Sequence, residues 1–346
     1  MKKLKILIVM CLSMTLFSAC NREERNTEPL EDPWTKERTP VNFRLESQIG
    51  AAVITGDWRH DERGNIRVSL ITSAIDISKV KVTAIDFKYP DSEFCPTASI
   101  KPGDFVDLSS GTCEFVVTAY NGDTRTYTVS YEQFKDPLEG CYSHDMIAGI
   151  LDSGAPKSSM VVLGGWTDAV VLSTAMDKSW HWGEGYSTAD EEDNVLSFML
   201  TEADSETGQT FGTLVNTAGD DGKYANYVYD NKYDVNGKYR IFPAGSSRWS
   251  KDESGNITIY SKDDAEYENP LYVVSPLDAG KHTFAGKEVS VPNYAFMRDH
   301  NLQPEDEVVD DVNWPDTRWM VNNIRNTFWT VVKTSDEALP EHNNLF

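Results

Sequence analysis

The chain has 346 residues, and its 55 acidic side chains against 32 basic ones give a formal net charge of −23 at pH 7. Such a surface repels nucleic acids and anionic lipid headgroups, so we expect neither as a partner. The length is enough for about two domains of roughly 100–200 residues each.

The first 19 residues predict a secretory signal. Three lysines precede the apolar residues 6–18, a run too short to span a membrane comfortably, and small residues then precede Cys20. This order resembles the lipobox of bacterial lipoproteins. The resemblance implies cleavage before Cys20 and its lipidation, which anchors a protein to a membrane without spanning it. The alternative is an ordinary secreted protein in which this cysteine has no role.

Residues 20–40 predict a flexible tether, because they are polar, highly charged and proline-containing, with almost nothing to bury. The acids that follow Cys20 are similar to the export signal of Bacteroidetes surface lipoproteins. That resemblance implies an outer-membrane protein that faces the cell exterior.

Residues 41–135 show strand signals throughout. Apolar residues alternate in "KVKVTAIDF", and "CEFVVTAYNGDTRTYTVSY" predicts two strands joined by a turn at residues 121–123. Residues 117–129 within this stretch resemble the closing hairpin of Ig-like or cadherin-like β-sandwich modules of bacterial surface proteins. The resemblance implies an Ig-like β-sandwich that serves as a spacer or an adhesion-type module.

A second, larger domain is predicted at residues 141–346, after a boundary at "EQFKDPLEGCY". It contains many strand-like segments: "SMVVLGGW", "AVVLSTAM", "VLSFML", "YANYVYD", "GKYRIFP", "NITIY", "LYVVS" and "TFWTVVK". The best helical candidate is "DTRWMVNNIRNTF". We therefore expect an all-β protein whose second domain is a sandwich or a barrel. The run from "GTLVNT" to "GSSRW" is similar to uncharacterised domains of Bacteroidetes outer-membrane lipoproteins, which implies glycan handling and assigns no catalytic residue.

The stretch "SWHWGEGYSTADEED" is the leading candidate for a ligand site. If it is extended, Trp180 and Trp182 share one face about 7 Å apart, either as part of the core or as a platform for a sugar ring. The acids of "ADEED" are expected to form a solvated loop. The candidate ligand-binding residues are Trp180, Trp182, Glu184, Tyr186, Arg248 and Trp249.

No catalytic motif and no clustered zinc motif is found in the sequence. Calcium is a possible ligand of three acid-rich turns, although the same residues make ordinary turns. These turns contain Asp204, Asp220 with Asp221, and Asp230 with Asp234 and Asn236. Cys95, Cys113 and Cys141 are an odd set, which favours buried free thiols and leaves a Cys95–Cys113 disulfide open.

The sequence thus predicts a non-catalytic surface lipoprotein that binds a polysaccharide or a glycoprotein glycan through its second domain. One alternative is a cell-adhesion protein that recognises another protein. A glycoside hydrolase is a further alternative, for which Glu184 and Asp168 are the acids to consider. A barrel that holds a small apolar ligand in an interior cavity is a fourth.

Overall fold

The computed structural model describes residues 33–56, 62–146, 158–166, 169–177, 182, 188–300 and 315–339. Two short helices lie within them, α1 (Asn236–Tyr239) and α2 (Pro315–Asn322), and 3-10 turns cover Pro33–Lys36, Thr72–Ala74 and Thr188–Glu191. None of the helices in these ranges is long and apolar enough to cross a membrane. The strands are β1 (Pro40–Leu45), β2 (Gln48–Thr55), β3 (Arg63–Leu70), β4 (Val80–Phe87), β5 (Thr97–Ala98), β6 (Phe105–Val106), β7 (Thr112–Thr118), β8 (Thr124–Gln133), β9 (Gly140–His144), β10 (Met160–Trp166), β11 (Ala169–Thr174), β12 (Val195–Ala203), β13 (Thr210–Thr217), β14 (Val228–Tyr229), β15 (Tyr233–Asp234), β16 (Gly245–Lys251), β17 (Ile257–Ser261), β18 (Pro270–Phe284), β19 (Lys287–Asp299) and β20 (Ile324–Ser335).

The first eight strands form a two-sheet sandwich, as predicted. One sheet has the order β1-β4-β6 and the other the order β2-β3-β8-β7-β5. Alternate side chains point into the space between them, where the ring of Phe115 stacks at 5.5 Å on both Phe43 and Tyr127. The predicted turn between β7 and β8 is present, and Gly122 adopts the positive φ of 92° that favours glycine there.

The later strands form a closed barrel rather than a second sandwich. Strands β9, β12, β13, β16, β17, β18, β19 and β20 pair antiparallel in chain order, and β20 pairs back to β9. The first half of β20 pairs instead with β10, which carries β11 outside the ring. The prediction of an all-β fold is confirmed, and the pairing of β20 with β9 decides between the two predicted architectures.

Aromatic side chains fill the interior of the barrel. Period-two alternation directs Phe198, Trp249 and Phe296 inward, with the rings of Phe198 and Phe296 5.6 Å apart. The segment between β13 and β16 covers one end, and its Phe242 ring lies 4.9 Å from that of Phe296. The described side chains inside the barrel therefore form a packed aromatic core.

Two sequence predictions require correction near this covered end. The predicted helix at residues 316–328 ends at Asn322, and Ile324 begins strand β20. The segment "GKYRIFP" is predicted as a strand, but its first three residues belong to α1. This helical turn places Tyr239 inside the barrel end, where its hydroxyl donates a hydrogen bond to Met320 O at 2.9 Å. Burial of consecutive apolar side chains outweighs the local strand preference.

Candidate functional site

Trp182 does not form an exposed platform. Only 6% of its surface is exposed, and its indole Nε1 donates a hydrogen bond to Ala175 O at 3.0 Å. The rings of Tyr229 and Tyr239 meet it edge to face, with centroid separations of 5.0 Å each. Of the two alternatives that the sequence leaves open for Trp182, its burial fits the core, and its indole packs under the covered end of the barrel.

Trp249 is also part of the core. It is fully buried, and its Nε1 donates a hydrogen bond to Thr213 O at 3.0 Å. Arg248, its neighbour on β16, points the other way and donates from Nε to Lys262 O at 2.8 Å. Since neighbouring strand residues face opposite sides, the two cannot act together on one ligand, which corrects the predicted site. The predicted residues Cys20, Asp168, Trp180, Glu184 and Tyr186 lie outside the described residues.

The acids of "ADEED" are not all solvated. Glu191 is 1% exposed, and its carboxylate accepts hydrogen bonds from Asn216 Nδ2 at 3.0 Å and Ala225 N at 2.9 Å. Burial raises the pKa of this carboxyl despite those hydrogen bonds and the nearby Arg240 guanidinium. Glu192 is half-buried and accepts from Ser158 Oγ at 2.7 Å. These acids attach the loop to the barrel rim, which corrects the prediction of a solvated loop.

Replacing Glu191 by alanine is expected to destabilise the protein by about 2–4 kcal/mol, because Asn216 Nδ2 and Ala225 N would lose a buried acceptor. Glu191→Gln keeps one acceptor oxygen and avoids burying a charge, so it should cost clearly less. Urea unfolding of both variants measures the difference. Equal stability of the alanine and glutamine variants would show that these hydrogen bonds do not hold the loop.

The acid-rich turns use their carboxylates for ordinary turn hydrogen bonds. Asp204 Oδ1 accepts from Glu206 N at 2.8 Å, Asp221 Oδ1 accepts from Lys223 N at 2.8 Å, and Asp234 Oδ1 accepts from Asn236 N at 2.9 Å. No group of three or more metal-ligating side chains is found within the described part of the chain. These carboxylates thus act as acceptors within their turns, as the turn interpretation predicts, and calcium binding stays a prediction.

Cys95, Cys113 and Cys141 are all free thiols. Cys141 is buried, as expected, whereas Cys95 and Cys113 are only partly buried. Burial is still sufficient to raise the pKa of Cys113 to about 11. The open alternative of a Cys95–Cys113 disulfide is not observed.

An open pocket of about 300 Å³ lies on the sandwich and is the candidate functional site. It is lined by residues from the connection between β4 and β5 and by one residue that precedes β1: Glu37, Lys88, Tyr89, Ser92, Phe94, Cys95 and Pro96. Tyr89 is 44% exposed. The rings of Phe94 and Tyr120 meet edge to face with their centroids 5.0 Å apart, and Tyr120 is itself 55% exposed. Accessible aromatic rings therefore lie beside polar groups at this pocket, which we call the aromatic pocket.

Local hydrogen bonds hold the rings of the aromatic pocket in place. Ser92 N donates to Tyr89 O at 3.1 Å, and Cys95 N donates to Ser92 O at 3.0 Å, so the connection folds into successive turns. Ser92 Oγ accepts from Phe94 N at 3.1 Å. These bonds fix the backbone beneath the two aromatic side chains, which lowers the entropy that a ligand must overcome.

Sequence reasoning missed this pocket because the first domain was interpreted as a spacer. The available signal was "KYPDSEFCP", where two aromatic residues occur in a turn-rich connection rather than in an alternating strand. Aromatic side chains in such a connection cannot use strand alternation to become buried. The fold that brings Glu37 beside this connection could not be predicted from spacing.

The structure is all-β, with a sandwich that carries an open pocket and a barrel with an aromatic core. No protein-family model matches the chain, and no curated protein matches it. The functional proposal therefore depends on the geometry of the pocket and on the features of the sequence.

Proposed function

We propose that this protein is a non-catalytic, lipid-anchored protein of the outer-membrane surface that binds glycans. The observation that carries the proposal is the aromatic pocket, with its accessible Tyr89 and Phe94 rings beside Glu37 and Ser92. The sequence placed the ligand site in the second domain. The burial of Trp182 and Trp249 moves the proposed site to the sandwich, for which we retain the Ig-like assignment.

The chemistry of the aromatic pocket suits a sugar. One face of a pyranose ring is apolar and packs against an aromatic ring, while its hydroxyls need nearby polar partners. The volume of about 300 Å³ lies at the lower end for small-molecule pockets, which favours one or two sugar rings. Pockets of this kind bind with modest affinity unless many sites act together.

Lipidation of Cys20 would place the aromatic pocket near the membrane. The 12 residues between Cys20 and Pro33 give 13 Cα–Cα steps, which can span at most about 45 Å when fully extended. A captured glycan would therefore be held close to the cell surface. Metabolic labelling with an alkyne fatty acid tests this part of the proposal, since Cys20→Ser should lose the label that the wild-type protein incorporates.

The proposal of a non-catalytic role rests on the sequence, in which no catalytic motif is found. Two carboxyls whose pKa burial raises, those of Glu139 and Glu191, are 5% and 1% exposed, and each oxygen of Glu191 accepts a hydrogen bond within the protein. A general acid must reach the glycosidic oxygen of a bound sugar, together with a second carboxylate across the ring. Neither of these carboxyls is accessible to a polymer.

Replacing Tyr89 or Phe94 by alanine is expected to weaken glycan binding about tenfold, because each change removes one stacking face from the aromatic pocket. Phe105→Ala is the matched control, since Phe105 is exposed on β6 and does not line the pocket. Affinity electrophoresis against a panel of polysaccharides, followed by calorimetry with the retained glycan, measures both effects.

Two outcomes would contradict the proposal. Retardation of the wild-type protein by no polysaccharide would remove glycan binding and favour the adhesion alternative. Equal binding by the Tyr89, Phe94 and Phe105 variants would keep glycan binding but place its site elsewhere. Either conclusion requires that the thermal unfolding temperature of each variant match that of the wild-type protein.

A further inference from the structure

We propose that Glu37 determines the specificity of the aromatic pocket, and that its ligand is a neutral or amino sugar rather than an acidic one. This inference rests on the proposed glycan-binding function. Glu37 belongs to the segment that the sequence predicts as a tether, and not to the strands of the sandwich. The predicted tether would therefore supply the carboxylate that contacts the ligand and selects for its chemistry.

The segment around Glu37 is attached firmly to the sandwich. Asn121 N donates to Thr35 O at 3.0 Å, and Arg38 Nη1 donates to Thr124 O at 2.7 Å. The hydroxyl of Tyr127, a core residue, donates to Arg38 O at 3.2 Å. These bonds lie on both sides of Glu37 along the chain. They hold its side chain at the wall of the aromatic pocket instead of leaving it on a free linker.

The carboxylate of Glu37 is oriented by its own backbone and still has capacity for a ligand. Its Oε1 accepts from Arg38 N at 3.1 Å and from Thr39 N at 2.9 Å. Its Oε2 has no hydrogen bond within the described part of the chain, and the side chain is only half-buried. An ionised carboxylate accepts hydrogen bonds only, so the complementary ligand presents donors, either sugar hydroxyls or an ammonium group.

The negative charges of the protein disfavour an acidic ligand. Glu37 would oppose a uronate or sulfate in the aromatic pocket, and the formal charge of −23 adds repulsion at long range. Lys88, which also lines the pocket, has its ammonium 5.5 Å from the centre of the Tyr89 ring and is a single opposing cation. A neutral sugar avoids the repulsion by Glu37 and by the net charge, and an amino sugar is attracted by both while Lys88 repels it.

The experiment compares Glu37→Gln with Glu93→Gln in the full chain. Glu93 lies in the same β4–β5 connection and is exposed, but it does not line the aromatic pocket, so its variant controls for the loss of one charge. The probes are cellotriose, maltotriose and mannotriose as neutral sugars, chitosan trimer as an amino sugar, and trigalacturonate as an acidic sugar. Calorimetry gives the dissociation constants, and thermal unfolding confirms that the variants remain folded.

We expect the wild-type protein to bind at least one neutral or amino sugar and to bind trigalacturonate at least tenfold more weakly. Glu37→Gln should weaken the preferred sugar about fivefold to tenfold and reduce the discrimination against trigalacturonate, while Glu93→Gln leaves both unchanged. If Tyr89→Ala abolishes binding but Glu37→Gln does not alter it, the inference fails and the glycan-binding proposal stands. If trigalacturonate is the preferred ligand, the inference is likewise wrong. If the wild-type protein binds no probe and no polysaccharide of the panel, the proposed function fails first.

Discussion

Replacing Trp249 by alanine is expected to destabilise the barrel by about 3–5 kcal/mol, the range for removing a buried aromatic side chain. The indole is fully buried and donates its Nε1 proton to Thr213 O at 3.0 Å. Gly212 on the neighbouring strand leaves the room that the indole fills, since a Cβ there would collide with it. Alanine would leave a cavity that the packed surroundings cannot close, and it would remove the hydrogen bond from the indole to Thr213 O.

Urea unfolding of Trp249→Ala measures this loss directly. Trp249→Phe retains much of the volume and should cost less than the alanine change. Phe105→Ala, at an exposed position, should remain within about 0.5 kcal/mol of the wild-type protein. If Trp249→Ala unfolds like the wild-type protein but loses glycan affinity, then Trp249 serves a ligand and the core assignment is wrong.

Acidification from pH 6.5 towards pH 4 is expected to destabilise the fold through two histidines. Both ring nitrogens of His144 are buried and have no hydrogen-bond partner among the described residues, and the ring lies 4.7 Å from Trp329. Burial lowers the pKa of His144 to about 4. Burial, with Arg298 and Lys238 nearby, lowers the pKa of His300 to about 3.

The direction of this pH dependence follows from the pKa of about 6.5 that a histidine has in the unfolded chain. Above that pH both states are neutral and the full stability is present. As the pH falls below it, the unfolded chain takes up a proton that folded His144 does not accept until about pH 4, so stability is lost in this window. At pH 4.5 the loss from His144 alone amounts to about 2–3 kcal/mol. Burial raises the pKa of Glu139 and Glu191, whose protonation on acidification favours the folded state and offsets part of this loss.

His144→Phe isolates the histidine contribution from that of the carboxyls. The variant keeps an aromatic ring against Trp329 and removes the titrating group, so its stability should fall by about 2–3 kcal/mol less than that of the wild-type protein between pH 7 and pH 4.5. His282→Phe, at a half-exposed position on β18, is the control for replacing a histidine outside the barrel core. Urea unfolding at both pH values gives the comparison. Parallel profiles for wild type and His144→Phe would contradict the prediction.

Local pattern predicted those parts of the fold in which neighbours in sequence are also neighbours in space. The hairpin of β7 and β8 follows from alternation and from the turn chemistry around Gly122. The helix prediction was right only up to Asn322, because Ile324 pairs with Gly164 across the sheet and is drawn into a strand. Pairing with β10, which is distant in sequence, thus ended a helix whose start was determined by its local sequence.

The candidate site was harder to predict, since exposure is a property of the assembled chain. Alternation correctly separates Arg248 from Trp249, but only the pairing of β16 with β13 and β17 decides which of the two faces the interior. The same holds for Glu191, which resembles a solvated acid in sequence and is buried by Asn216 and Ala225. Conversely, Tyr89 is 44% exposed and Phe94 is partly exposed, since no strand or helix of the described ranges covers their connection.

The sequence by itself determined the all-β class, the two-sheet sandwich and the positions of most strands, because these depend on period-two alternation and on turn residues. Only the tertiary structure decided that the second unit closes into a barrel, that its tryptophans form a packed core, and that Glu37 meets the β4–β5 connection at an open pocket. The physical reason is that strand closure and burial are set by contacts between residues far apart in the chain. The spacing of residues along one strand carries no information about those contacts.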